Sequence, residues 1–341
     1  MEILVRSSYI RRKDMDSVLN CLVTDRLSPG DFGDRFMKAA KDRFGFDYGL
    51  ALRSPMVALD VAVSCLGLVA GDAIALSALS HAWVHKVIAA RGLRPVWLDI
   101  DPATAAVTTE ALDRVSSEGS KAFYLAEPWG VMPDPASLID LGVPIIEDAT
   151  YSIGARAGES RAGFLGTFTI LGLEPASSIT AGGGALLYAP GRREAQPLRN
   201  ALDGLLQEER MSDMNAALAL SQLKDIEKFI EKRRELSELY AQSLARAHRR
   251  PLAPACECEP SNFGCVVVLE SGVKDVRAYA KKKDVDTVMA FEDTCAAAGI
   301  TPEGVCPSAA SLVNRSVAFP MSQRIGKIAA QKIAKVLATL P

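Results

Sequence analysis

Between residues 48 and 190, short apolar runs alternate with stretches whose apolar positions repeat about every 3.6 residues. The runs predict strands over residues 48–52, 73–77, 95–98, 122–125, 144–146, 167–171 and 185–188. Periodic stretches such as 57–68 and 83–90 predict helices between them. Alternation of this kind argues for crossover units and a mostly parallel sheet covered by helices on both faces. It breaks after Thr167, where two strand-like runs flank a glycine-rich segment with no helix between them.

Residues 212–248 read as one long helix or two abutting ones. Ser212-Asp213 supplies an N-cap and an acidic first turn. Leu218, Leu223, Ile226, Phe229, Ile230, Leu236, Leu239 and Tyr240 form an apolar stripe, and Lys, Arg and Glu fill the remaining positions. The last 90 or so residues predict a strand at 265–269, a helix near 276–282, a further short strand and a closing helix from 323. The expected organisation is an N-terminal segment over 1–24, a large domain over 25–240 that includes the connecting helix, and a small C-terminal α/β domain over 241–341.

The chain has 341 residues, of which 49% are hydrophobic and 23% charged, enough for a sizeable core. Its net charge of −2 removes the basic field that a nucleic acid or an anionic membrane surface would need. No apolar run reaches the roughly 18 residues of a membrane span, and charges interrupt the N-terminus too early for a secretory signal. The expectation is a cytoplasmic protein with its seven cysteines reduced. Cys256, Cys258 and Cys265 lie close in sequence, and His81 and His85 are four apart, but neither group finds the further ligands that a metal requires.

Five stretches, in order, carry a resemblance. They are GDAIALSALSHAWVHKVIAARGLRPVWLDIDP from Gly71, PIIEDATYSIGA from Pro144, PASSITAGGGALL from Pro175, RMSDMNAALALSQLKDIEKFIEKRRELSELY from Arg210 and SVAFPMS from Ser316. Together they resemble the DegT/DnrJ/StrS family of nucleotide-sugar aminotransferases across about nine-tenths of the chain. The resemblance implies a type I pyridoxal-phosphate transferase fold, with a large αβα domain and a smaller C-terminal α/β domain, usually in a dimer. It also explains Gly182-Gly183-Gly184 as a turn between strands, not a nucleotide loop.

Such an enzyme needs a carboxylate at the pyridine nitrogen, donors for the phosphate, a flat group over the ring and a lysine amine. By resemblance, Asp148 matches the carboxylate and His81 takes the stacking position. The phosphate turn becomes Ser54-Pro55-Met56, in which proline removes a backbone donor and methionine replaces a hydroxyl. Gly172 stands where the family has a serine, Tyr151 where it has a glutamine and Glu174 where it has a histidine. Glu208 aligns with an asparagine sent from the other subunit. The lysine position falls on Ser177, and no lysine lies between Lys121 and Lys224 to replace it.

The reading that follows is a non-transaminating relative with no bound cofactor. It keeps the fold and the homodimer, and it pairs with a nucleotide sugar or an active paralogue. One alternative is an enzyme that uses pyridoxal or pyridoxamine phosphate non-covalently, with His81, Lys86 or Tyr151 moving protons. Another is unrelated chemistry built on Asp148, Glu174 and the two histidines.

Overall fold

In a computed structural model that describes residues 3–341, helices α1 (Arg12–Val23) and α2 (Asp31–Phe44) precede strand β1 (Tyr48–Leu52). Helix α3 (Pro55–Cys65) leads to β2 (Ala73–Ser77), α4 (Ala82–Ala90) to β3 (Arg94–Leu98), and α5 (Thr109–Ser117) to β4 (Ser120–Ala126). After β5 (Ile145–Asp148) come a small hairpin of β6 (Arg156–Ala157) and β7 (Ser160–Arg161), then β8 (Phe168–Gly172) and β9 (Ala185–Ala189).

Seven of these strands form one sheet in the order β1-β9-β8-β5-β4-β2-β3. The five from β8 to β3 are parallel, and β9 pairs antiparallel with both β8 and β1. Strand β2 is buried at all five positions, as a central parallel strand covered on both faces should be. Its Ile74 and Leu76 face α3 and α4 with Tyr124 and Ile146, while Ala73 and Ala75 pack with Phe123 and the Leu112 and Val115 of α5. Farther along the sheet, Leu171, Leu186 and Tyr188 are covered by α2 and by α7 (Asp213–Leu223). A short helix, α6 (Ala195–Leu202), precedes α7.

The expected stripe over 212–248 is divided between α7 and α8 (Ile226–Arg246). The break falls at Asp225, whose carboxylate takes Arg11 at 2.7 Å, Lys228 at 3.1 Å and also Lys13. The joint is therefore fastened to the N-terminal segment by ion pairs. Asp213 is no ordinary solvated first-turn acid, because it is buried and accepts from the Phe32 and Gly33 amides at the start of α2.

Helix α8 continues into the C-terminal unit. There β10 (Cys265–Val268), α9 (Val273–Lys282), β11 (Val288–Met289), α10 (Pro307–Arg315), β12 (Ser316–Phe319) and α11 (Lys327–Leu337) follow. The three strands form an antiparallel sheet in the order β10-β12-β11. Leu236, Tyr240 and Leu244 of α8 join Val267, Val317, Phe319, Ile333 and Leu337 in a second core. A boundary at residue 240 thus falls inside α8, which serves both units. The closing helix starts at Lys327 and not at 323, because Ser322–Ile325 makes a hydrogen-bonded turn and Gly326 caps the helix. Among the described residues no helix is long and apolar enough to cross a membrane.

Candidate functional site

The carboxyl ends of parallel strands are where open α/β sheets gather ligand-binding loops. Here the loops after β1, β2, β4, β5 and β8 enclose a cavity of about 870 Å³, closed by residues of the C-terminal unit and by Val5–Ser8. Among the residues foreseen from sequence, Ser54, Met56, His81, Asp148, Tyr151 and Glu174 all line it.

Asp148 ends β5 and is 8% exposed. Its Oδ2 accepts from the Tyr124 hydroxyl at 2.7 Å, and its Oδ1 from the Thr150 amide at 3.1 Å and hydroxyl at 2.5 Å. Burial, then the Asp148 charge, push the Tyr124 hydroxyl well above its ordinary pKa, so it stays a donor.

His81 caps α4, and burial lowers its pKa against the opposing pull of Asp148 and Asp293. Its ring meets Tyr151 edge-on at 5.8 Å, and Tyr151 stacks on Phe263 at 4.2 Å. Burial and Asp148 push the Tyr151 hydroxyl up to about 12. Beneath this wall the buried Arg233 lies over Phe263 at 4.8 Å and donates to the Ser178 hydroxyl at 2.5 Å. Burial pulls its pKa down to about 10. Glu174 carries no hydrogen bond or ion pair through its carboxyl group among the described residues, and partial burial raises its pKa.

Several wall residues were not singled out from sequence. Arg6 pairs with Asp293 at 2.5 Å and Glu292 at 3.7 Å, and Ser8 donates to the Pro175 carbonyl at 2.7 Å, so the N-terminal segment spans the cleft. Trp129 adopts φ 55° and donates from Nε1 to the Ala290 carbonyl at 2.7 Å, tying the β4 loop to the C-terminal unit. Glu127 accepts from Ser152 and sits beside Glu147, which takes the amides of Gly163, Leu165 and Gly166. Burial, then the Glu147 charge, raise the Glu127 pKa well above its ordinary value, which favours the protonated form. One sequence signal was available for Arg233: it falls on the apolar stripe of α8, between Phe229 and Leu236, where a charge needs a buried partner.

Other expected residues are not at the cavity. Gly172 is buried behind Thr150, to which its amide donates at 2.8 Å. A side chain there would begin 3.0 Å from the Thr150 hydroxyl and 3.3 Å from Pro55, so the serine of the family pattern would fit only if these neighbours shifted by a few tenths of an ångström. Ser177 is 4% exposed, lies outside the lining, and its Oγ has no hydrogen-bond partner. Lys86 is exposed on α4 away from the cleft, His85 stacks on Trp97 at 5.9 Å, and Glu208, which the resemblance matches to a residue sent to the other subunit, is exposed on the surface. The two histidines therefore do not form one site.

Residues 8–338 match the DegT/DnrJ/EryC1/StrS aminotransferase family. The chain belongs to that family. It is 25% identical to a GDP-perosamine synthase of Caulobacter vibrioides over 278 residues, covering 74% of this chain and 72% of that protein. It is also 25% identical to a GDP-perosamine synthase of Vibrio cholerae over 234 residues, and the match spans only 64% of either chain. Among solved structures, the aminotransferase TlmJ from Streptoalloteichus hindustanus superposes with a TM-score of 0.89 at 21% identity, over 98% of both chains. GDP-4-keto-6-deoxymannose-3-dehydratase with bound GDP-perosamine superposes with a TM-score of 0.86 at 16% identity, over 98% of this chain and all of that one. These likenesses establish the pyridoxal-phosphate transferase fold.

The turn that the resemblance matches to the phosphate site keeps the Ser54 hydroxyl proton as a donor but is otherwise poor in donors. The Ser54 hydroxyl accepts the Val57 amide and caps α3, while Pro55 has no N–H to offer. Met56 contributes an exposed thioether, and the Gly172 amide is spent on Thr150.

Proposed function

We propose that this family member has kept the aminotransferase scaffold and its cleft but is not a pyridoxal-phosphate transaminase. The observation that carries the reading is Ser177, a short hydroxyl buried outside the cleft at the position where the resemblance puts the reactive lysine. Transamination needs an amine to hold the cofactor as a Schiff base and a base to move the substrate's α-proton. A serine hydroxyl supplies neither. Each charge-assisted hydrogen bond lost to the phosphate weakens binding by about 1.5–3 kcal/mol, so the phosphate turn compounds the loss. Ser177 and the Ser54-Pro55-Met56 turn do not fit a covalently held, phosphate-anchored cofactor.

What remains is a cleft suited to binding, in a protein that works as a homodimer or beside an active relative. Its relatives include GDP-perosamine synthases and a dehydratase with bound GDP-perosamine, which supports a nucleotide-linked sugar as the ligand class. Titration with pyridoxal phosphate tests this reading. The protein should stay colourless and show no saturable uptake.

A second reading keeps the cofactor without a covalent bond. Asp148 with its three hydrogen bonds and the aromatic wall of His81 and Tyr151 favour it, since both features suit a protonated pyridine ring. One-to-one binding in the same titration would establish it.

A further inference from the structure

The cleft wall has a charge pattern opposite to the one a phosphate needs. Asp148, Glu174, Glu292 and Asp293 line it with the neutral acid Glu127, against the single guanidinium of Arg6. Arg6 is already paired with Asp293 and Glu292. The Glu174 carboxyl group has no partner among the described residues. Between these acids stand the rings of His81, Trp83, Trp129, Tyr151 and Phe263.

Aromatic faces attract cations through the ring quadrupole, and unpaired carboxylates do so directly. We infer that the inner cleft binds the ammonium group of a small ring-bearing amine, with the ring against the Tyr151–Phe263 wall and the charge toward Glu174 and Asp148. This rests on the preceding reading that pyridoxal phosphate does not occupy the cleft, and it names the chemistry of what enters instead. A phosphate or carboxylate in the same place would meet carboxylates, with Arg6 already paired and the buried Arg233 held behind Phe263. If the natural ligand carries a nucleotide, its diphosphate stays outside this inner chamber.

The test uses three probes of one shape and different charge: benzylamine, benzyl alcohol and benzoate. Binding to the whole protein is followed by ligand-observed NMR. Benzylamine is expected to bind at least roughly tenfold more tightly than benzoate at low ionic strength, with the ratio shrinking as salt is added. Glu174→Gln should weaken benzylamine by a factor of about three or more and leave benzyl alcohol unchanged. Glu174 is an exposed residue of the cavity lining, and a thermal melt of the variant checks that the fold is intact. Equal or tighter binding of benzoate, no detectable binding of benzylamine, or a folded Glu174→Gln variant with an unchanged ratio would each overturn the inference. Pyridoxal phosphate is titrated into the same samples. One-to-one uptake of it sinks the proposed function whatever the probes do, whereas probes without charge preference sink only this inference.

Discussion

The Tyr124 hydroxyl, fully buried on β4, donates to the Asp148 carboxylate on the neighbouring strand β5 at 2.7 Å. Removing a donor from a buried charged acceptor costs about 1.5–3 kcal/mol. Tyr124→Phe should therefore lower stability by that amount, read from the urea midpoint. A change under about 0.5 kcal/mol would mean that water or another donor takes the place of the hydroxyl.

Glu127 and Glu147 form a buried carboxyl pair in which only Glu147 has enough donors to stay charged. Both pKa values are raised above the unfolded value of 4.5, mainly by burial. The folded state therefore binds more protons than the unfolded state. The stability this provides is complete below about pH 4.5 and is lost as pH rises through the folded pKa, at about 1.4 kcal/mol per pH unit for one proton. Glu127→Gln keeps a donor and removes the titration. Comparing its denaturation with wild type from pH 5 to 8, the stability difference should move in favour of the variant as pH rises, at no more than that slope. A pH-independent difference would show that Glu127 does not hold its proton.

Trp129 leaves no space at Gly264, where an added Cβ would sit 2.1 Å from the indole Cε3. Gly264→Ala should push the ring off the cleft wall and break its bond to Ala290, costing about 1–3 kcal/mol as overpacking. The tryptophan emission should shift to the red. An unchanged spectrum and melting temperature would argue that the loop after β4 yields easily.

How far this was legible in the sequence depends on the range of the interaction. The strands of the large sheet were readable because buried parallel strands are apolar along their whole length, as in β2. Asp148, His81, Tyr151 and Glu174 were found through motif position, which fixes the loop each side chain leaves from. Gly172, expected among the lining residues, lies behind Thr150 and Pro55, because motif position says nothing about depth. Arg6, Ser8 and Trp129 were missed because their partners lie far along the chain. The Arg6–Asp293 pair spans 287 residues, and no local pattern encodes it.

Met15, Leu19, Leu22 and Val23 are exposed along α1, at spacings that put them on one helix face. A homodimer that covers this face would bury more than roughly 2,000 Å² if obligate. Light scattering at micromolar concentration should return twice the chain mass of 36.4 kDa. The double substitution Leu19→Glu with Leu22→Glu should shift it toward the monomer. A monomeric wild-type protein would remove the dimer from the account.

The most direct test of the central claim is a pyridoxal phosphate titration of wild type beside Ser177→Lys, followed by absorbance and calorimetry. Pro55 and Met56 remain in the phosphate turn and Ser177 is buried outside the cavity lining, so lysine alone should not restore the site. Wild-type protein should remain colourless and release no saturable heat, with little change in the variant. Saturable one-to-one binding to wild type at low micromolar concentration, about 7–8 kcal/mol of affinity, would contradict that claim.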